Sequence, residues 1–177
     1  LELIALSNGE EISYQSIAND CGVSANSIKN YVQILEDTLL AFQLKAFTKT
    51  RKRKAISRSK LYLFDIGVTN SLANRGEIRP ASELFGKAFE HFIMMEVRAF
   101  LSYARKNVDM YYWRSTSQFE VDLILGDRWA IEIKGATSIS DKHLKGIRAL
   151  KEEGKLKNFA VVSLDQNDRK TTDNITV

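Results

Sequence analysis

The sequence is poor in several features, and each shortage narrows the kind of protein it can encode. It holds one cysteine and one proline. A single cysteine forms no disulfide within its own chain, which is typical of a reducing cytoplasm. No apolar run approaches the roughly 20 residues that a membrane helix needs, and no secretory signal is visible. We therefore expect a cytoplasmic protein that does not span a membrane, with Cys21 as a small buried residue.

A nucleotide-binding loop is also missing. The pattern G-x-x-x-x-G-K-[ST] does not occur, because Gly86-Lys87 is followed by Ala88 rather than by Ser or Thr. An ATPase site is therefore not expected in this sequence. The chain opens with Leu1 and runs straight into helix-like sequence, so we expect a fragment of a longer protein, in which any ATP would bind upstream of Leu1.

What is present is an ordinary globular composition with a concentrated positive charge. Hydrophobic residues make up 44% of the chain, charged residues 27%, and the net charge is +4. Seven cations lie within twelve positions, namely Lys49, Arg51, Lys52, Arg53, Lys54, Arg58 and Lys60. Such a block attracts polyanions, and nucleic acid is the usual one. A merely solvated loop is the alternative.

Turn-forming and charged residues cluster at positions 74–80, which contain the single proline. This cluster is the best candidate for a domain boundary. We therefore predict a first domain over residues 1–75 and a second over residues 76–177.

The first 40 residues predict three short helices. The first has Leu1, Leu3, Ile4 and Leu6; the second has Tyr14, Ile17 and Ala18 and stops at Cys21-Gly22; the third, which Ser24 can cap, has Ile28, Tyr31, Val32, Leu35 and Leu39. Two helices joined by a tight turn containing glycine form a helix-turn-helix pattern.

Two alternating segments, 42–47 and 61–64, could form the strands of a wing with the basic run between them. The whole resembles a winged-helix domain. Its third helix would then be the recognition helix, which exposes Asn26, Lys29, Asn30 and Gln33. The alternative is a helical connector that packs on a partner domain.

After Pro80 the pattern changes to that of an α/β layered domain. Ser82 can cap a long helix that runs to about Tyr103, with an apolar face of Phe85, Phe89, Phe92, Ile93, Val97 and Phe100. Strands are predicted at 110–114, 119–125, 129–133 and 159–164. Before the last strand, Ser140 can cap a helix in which Leu144, Ile147 and Leu150 recur. The predicted order is α-β-β-β-α-β.

The second and third of these strands form a hairpin, and its loop length determines which residues of the two strands lie opposite each other. Side chains alternate along a strand, so Val121, Leu123 and Leu125 should share one face, and Glu120 and Asp122 the other. A three-residue connection, 126–128, pairs apolar with apolar residues, whereas a two-residue one sets apolar residues against charged ones.

With the three-residue connection, Asp122 lies opposite Glu132, about 5 Å away. Like charges so close need compensation, which Lys134 could supply in part. A divalent cation such as Mg²⁺ or Mn²⁺ would supply it better. The alternative is a surface hairpin whose charged residues face water.

Asp122, a turn and then Glu132-Ile133-Lys134 resemble the bipartite signature of the PD-(D/E)XK nuclease superfamily. Gly86-Lys87-Ala88-Phe89-Glu90 looks like the helical first motif, with Glu90 as its acid. In finer detail the chain is similar to the C-terminal domains of predicted bacterial and archaeal AAA+ ATPases, a family of unknown function. Val121 stands where the superfamily often has proline.

The resemblance implies metal-dependent hydrolysis of phosphodiester bonds in nucleic acid, most naturally DNA, beside an upstream ATPase domain. Asp122 and Glu132 would hold the metal, Glu90 would contribute directly or through water, and Lys134 would act on the water or the developing charge. Glu96 is either a second acid or a partner of Arg114. The expected nucleic-acid contacts are Lys29, Asn30, Lys49, Arg51, Lys52, Arg53 and Lys54.

The alternative interpretation is a non-catalytic module that binds nucleic acid or a partner and serves an attached ATPase. An oligomer is compatible with either interpretation.

Overall fold

The computed structural model describes all 177 residues. Contacts divide the chain into two compact units, of which unit 1 comprises Leu1–Leu44 and Arg58–Ile78 and unit 2 comprises Lys45–Ser57 and Arg79–Val177. Residues 45–57 therefore lie between the two segments of unit 1 but belong to unit 2. A single boundary between residues 75 and 76 does not describe this division.

Unit 1 contains four helices and a pair of strands. They are α1 (Glu2–Leu6), α2 (Tyr14–Cys21), α3 (Ala25–Asp37), β1 (Ala41–Ala46), β2 (Lys60–Leu63) and α4 (Ile66–Leu72), and the last two residues of β1 belong to unit 2. The side chain of Ser24 accepts a hydrogen bond from the Ser27 amide and so begins α3 as predicted. β1 and β2 pair antiparallel, with Ala41 opposite Leu63. Three helices followed by this pair confirm the winged-helix-like order of elements.

Two expectations for unit 1 are wrong. Tyr31 and Leu39, which the helical spacing groups with Ile28, Val32 and Leu35, are 59% and 70% exposed. Tyr31 is rotated away from the buried stripe of α3, and Leu39 follows the end of the helix. Cys21 is exposed instead of buried. The basic run lies between β1 and β2 as expected, and residues 45–57 group with unit 2. Helix α4 was not predicted.

Unit 2 follows the predicted order α-β-β-β-α-β and is an α/β domain. Its elements are α5 (Glu83–Tyr103), β3 (Met110–Arg114), β4 (Glu120–Leu125), β5 (Trp129–Lys134), a short 3-10 helix (Asp141–Leu144), α6 (Lys145–Lys151) and β6 (Asn158–Ser163). Ser82 caps α5 by accepting a hydrogen bond from the Phe85 amide. None of the helices combines the length and the apolar character that crossing a membrane would require.

The sheet of unit 2 is mixed. The end of β1 pairs parallel with β3, β3 and β4 pair antiparallel, β4 and β5 pair antiparallel, and β5 and β6 pair parallel. Helix α6 packs against β4 and β5, and its predicted core residues Leu144, Ile147 and Leu150 are all buried. Helix α5 contacts β5.

The predicted apolar face of α5 is only partly correct. Phe92 and Phe100 are 50% and 58% exposed, while His91 and Met94 are buried. Apolar residues occur nearly all round this helix, so periodicity alone assigns its buried stripe poorly. Glu96, named above as a candidate second acid or partner of Arg114, is exposed.

Candidate metal centre

The hairpin of β4 and β5 has the predicted register. Leu123 lies opposite Ile131 and Leu125 opposite Trp129, so residues 126–128 form the three-residue connection. Gly126 has a φ of 58°, a backbone conformation that glycine adopts without strain. Continued by one position, this register sets Asp122 beside Glu132.

The pairing of β4 with β3 contains a β-bulge at the same place. Between the pairs Tyr111–Ile124 and Trp113–Val121, β3 advances two residues while β4 advances three. The extra residue therefore falls at position 122 or 123. Val121 and Ile124 pack in one core cluster, although strict alternation would put them on opposite faces. The predicted alternation along β4 is thus wrong at this point, and bulges of this kind often adjoin active sites.

Asp122, Glu132 and Lys134 meet beside the bulge. The Lys134 Nζ lies 2.7 Å from Glu132 Oε1 and 3.3 Å from Asp122 Oδ2. The amide of Ile133 also donates to Asp122 Oδ2, at 2.7 Å. Both acids are 5% exposed, whereas the Lys134 side chain is about one-third exposed. The predicted convergence of two carboxylates and one amine is therefore present.

Burial sets the electrostatics of this cluster. It raises the pKa of Glu132 well above the usual value for a glutamate, and the nearby Asp122 carboxylate raises it further, while Lys134 opposes the change. Burial also works against the charge of Lys134, but the two carboxylates outweigh it, so that the pKa of Lys134 is raised. The ammonium form of Lys134 is consequently the stable one.

One oxygen of the cluster is left without a partner. Glu132 Oε2 is buried and makes no hydrogen bond. A buried oxygen of this kind costs free energy unless a donor or a cation satisfies it. Two adjacent carboxylates with an unused oxygen form a hard-ligand donor set that suits Mg²⁺ or Mn²⁺.

The remaining predicted acids are not part of a three-acid cluster. No three His, Cys, Asp or Glu side chains of the chain lie close enough together to hold a metal ion. Glu90 is half-buried on α5. Arg114 lies 3.7 Å from Glu120 and donates to Gln118 at 2.7 Å, while Glu96 lies in solvent.

The residues predicted to contact nucleic acid divide into two sets. Asn26, Lys29, Asn30 and Gln33 are exposed along α3, and Lys29 also lies 5.7 Å from the centre of the Tyr14 ring. In the basic run Lys49, Arg51, Lys52 and Lys54 are exposed. Arg53 points inward and pairs with Glu152 at 2.6 Å, and Lys60 is buried in β2.

Sequence reasoning missed two residues that shape this region. A methyl group at Gly146 in α6 would overlap the main-chain oxygen of Glu120, so the helix approaches β4 closely beside the acids. Glu153 is a buried acid that binds the basic run from across about 100 residues of sequence. A glycine inside a predicted helix is a weak signal of close approach, whereas nothing local distinguishes Glu153 from Glu152.

Comparison with known proteins identifies families but no characterised relative. Residues 1–79 match the family model described as a domain of unknown function, DUF8612. Residues 85–177 match that of a second domain of unknown function, DUF4143. No curated protein and no solved structure matches the chain significantly. The DUF4143 match covers just over half of the sequence, and the chain therefore belongs to the DUF4143 family.

Proposed function

We propose that unit 2 is a metal-dependent phosphodiesterase that cleaves nucleic acid, DNA in the first instance. The observation that carries the proposal is the buried pair of Asp122 and Glu132, whose free oxygen Glu132 Oε2 has no partner within the chain. Natural proteins rarely keep two buried carboxylates together without a use for them.

In this proposal Asp122 and Glu132 hold the cation. A bound divalent cation supplies Lewis acidity toward the phosphate and toward water, and the protein's groups do the rest. Ile133 fixes the orientation of Asp122 through its amide. Lys134 stays protonated between the acids, so it stabilises negative charge on the phosphate instead of taking a proton.

In this proposal Glu90 contacts the cation only through an intervening water, because it does not form a three-acid cluster with Asp122 and Glu132. Lys29 and Asn30 of α3 and the exposed cations of the basic run supply contacts to the phosphate backbone. The proposal also includes an ATPase domain in the parent protein, as in the AAA+ proteins that the sequence resembles, and a cytoplasmic location, since the one cysteine is free.

A non-catalytic module is the second candidate, and one observation favours it. Lys134 already contacts both carboxylates, at 2.7 and 3.3 Å, so the charge of the pair is partly neutralised without a metal. In that case unit 2 would bind nucleic acid or a partner for the attached ATPase and would cleave nothing.

Cleavage assays separate the two candidates. Plasmid and branched DNA are incubated with Mg²⁺ or Mn²⁺ and with the wild-type chain, Asp122→Asn or Lys134→Ala. We expect nicking by the wild type that both substitutions reduce by at least about 100-fold. Asp127→Asn is the matched control, because Asp127 is an exposed acid on the same hairpin. Cleavage that survives both site substitutions would come from a contaminant and end the proposal, and metal-independent binding without cleavage would favour the module.

A further inference from the structure

Three successive main-chain amides converge on one buried carboxylate in unit 2. The amides of Arg51 and Lys52 each donate to Glu153 Oε2 at 2.7 Å, and that of Arg53 donates to Glu153 Oε1 at 3.1 Å. The Glu153 side chain is fully buried. Consecutive amides that point inward make an anion-binding concavity, and here the anion comes from the chain itself.

The side chain of Arg53 closes this arrangement. Its guanidinium donates to the main-chain oxygen of Ala149 at 2.9 Å, pairs with Glu152 at 2.6 Å and lies 3.5 Å from Glu153. The hydroxyl of Thr50 donates to the main-chain oxygen of Arg53 at 2.8 Å. The backbone of the turn and Arg53 are thus held inward.

The neighbouring cations of the same turn face the other way. Arg51, Lys52 and Lys54 are all exposed. A turn with its amides inside and its charged side chains outside presents three cations on a fixed backbone. We name residues 50–54 the basic loop.

The basic loop leads to the end of the sheet that carries the acids. Just after it, Ala55 bridges to Ser115, and the Ile56 amide donates to the main-chain oxygen of Arg114 at 2.8 Å. Arg114 is paired with Glu120 on β4, two residues before Asp122. Neighbouring strands lie about 4.8 Å apart, so two strand spacings, roughly 10 Å, separate the segment after the loop from β4.

We propose that Glu153 is a positioning residue, which holds the basic loop so that Arg51, Lys52 and Lys54 contact the phosphates of a nucleic acid running to Asp122 and Glu132. This inference rests on the proposed function, because it assumes that nucleic acid is the ligand. Glu153 can serve as a permanent anchor at neutral pH. Although burial opposes its ionisation, the three amides and Arg53 outweigh burial and lower the pKa of Glu153.

The test uses Glu153→Gln, with Asp168→Asn as its control, because Asp168 is an exposed acid of unit 2. Both remove one negative charge from the unit, and general electrostatics predicts that both tighten binding to a polyanion. Positioning predicts the opposite for Glu153→Gln, since an amide side chain cannot accept from all three main-chain amides. The probe is a labelled double-stranded oligonucleotide, titrated over a range of salt concentrations.

We expect Glu153→Gln to weaken binding by about tenfold or more and to make the salt dependence shallower by about 2 to 3 in log–log slope, as for the loss of two or three phosphate contacts. Asp168→Asn should bind as the wild type does or more tightly. Arg51→Gln, Lys52→Gln and Lys54→Gln combined should reproduce the loss, and adding Glu153→Gln to them should cost nothing more. Tighter binding by Glu153→Gln, or a fully additive loss, would overturn the inference.

Tryptic cleavage tests, without nucleic acid, whether the Glu153 carboxylate holds the basic loop in place. Trypsin cuts after lysine and arginine, so release of the basic loop should speed cleavage at residues 51, 52 and 54 in Glu153→Gln at least tenfold relative to Asp168→Asn. If the wild type binds no oligonucleotide but this difference in cleavage appears, the proposed function fails and the anchor remains. Equal cleavage of the two variants would overturn the anchor itself.

Discussion

The Ile133 amide donates a 2.7 Å hydrogen bond to Oδ2 of Asp122, so a side chain on β4 occupies the place of a main-chain acceptor. The regular pairing of β4 with β5 ends one position earlier, at Leu123 and Ile131. The Asp122 carboxylate thus lies against β5, beside the bulge in β4, where Lys134 also contacts it. Asp122 and Glu132 are both neighbours of the Lys134 ammonium.

Replacing Lys134 by methionine should destabilise the fold. Lys134 is the one residue observed to contact both carboxylates of the pair, at 2.7 and 3.3 Å. Removing one partner of a buried ion pair typically costs about 3–5 kcal/mol, and we expect about 2–3 kcal/mol here because Lys134 is one-third exposed. Denaturant unfolding measures the loss. Adding Glu132→Gln to Lys134→Met should recover part of it, and an absence of recovery would show that the repulsion between the acids is unimportant.

The free energy of unfolding should fall as the pH rises through the raised pKa of Glu132. Burial and Asp122 raise that pKa in the folded state, so the folded protein holds a proton that the unfolded chain has already released. The contribution is complete below the ordinary glutamate pKa and disappears above the folded one. Thermal unfolding of the wild type and Glu132→Gln over this range checks the sign: the variant should lack the decline. Mn²⁺ should remove the decline from the wild type, because a bound cation favours the ionised carboxylate, and an unchanged slope would argue against a metal there.

Two glycines in helices of unit 2 should respond in opposite ways to alanine. Nothing lies near the position of an added methyl group at Gly86 in α5, so Gly86→Ala should stabilise the fold by about 0.5–1 kcal/mol. At Gly146 in α6 the methyl group would meet the main-chain oxygen of Glu120, and Gly146→Ala should destabilise the fold by about 1–3 kcal/mol. Melting temperatures of the two variants provide the comparison. A neutral Gly146→Ala would mean that α6 moves away from β4 at little cost.

The parts of this fold that the sequence predicted are those governed by local signals. Ser24 and Ser82 cap helices as expected because their hydroxyls reach amides three residues on. The register of β4 and β5 was predictable because a one-residue slip would bury charge. The same reasoning predicted that Asp122 lies beside Glu132. Lys134 was identified from the resemblance to the PD-(D/E)XK signature.

The parts that escaped prediction depend on tertiary packing. Periodicity does not reveal the bulge at position 122 or 123, since alternation looks intact along the sequence. Phe92 and Phe100 are apolar and helical, yet the contact of α5 with the sheet leaves them exposed. Glu153 was missed because its partners lie about 100 residues earlier. The sequence separation between a residue and its partners, more than the chemistry of its side chain, determined whether its role could be predicted.

Residues 45–57 belong to unit 2 but lie between the two segments of unit 1, which affects how the units can be produced separately. Cleavage of a single peptide bond cannot yield both units intact. A fragment that starts at residue 79 would lose the strand end beside β3 and the three main-chain amides that donate to the buried Glu153 carboxylate. A fragment that contains unit 2 alone should therefore retain residues 45–57, joined ahead of residue 79 through a short flexible linker.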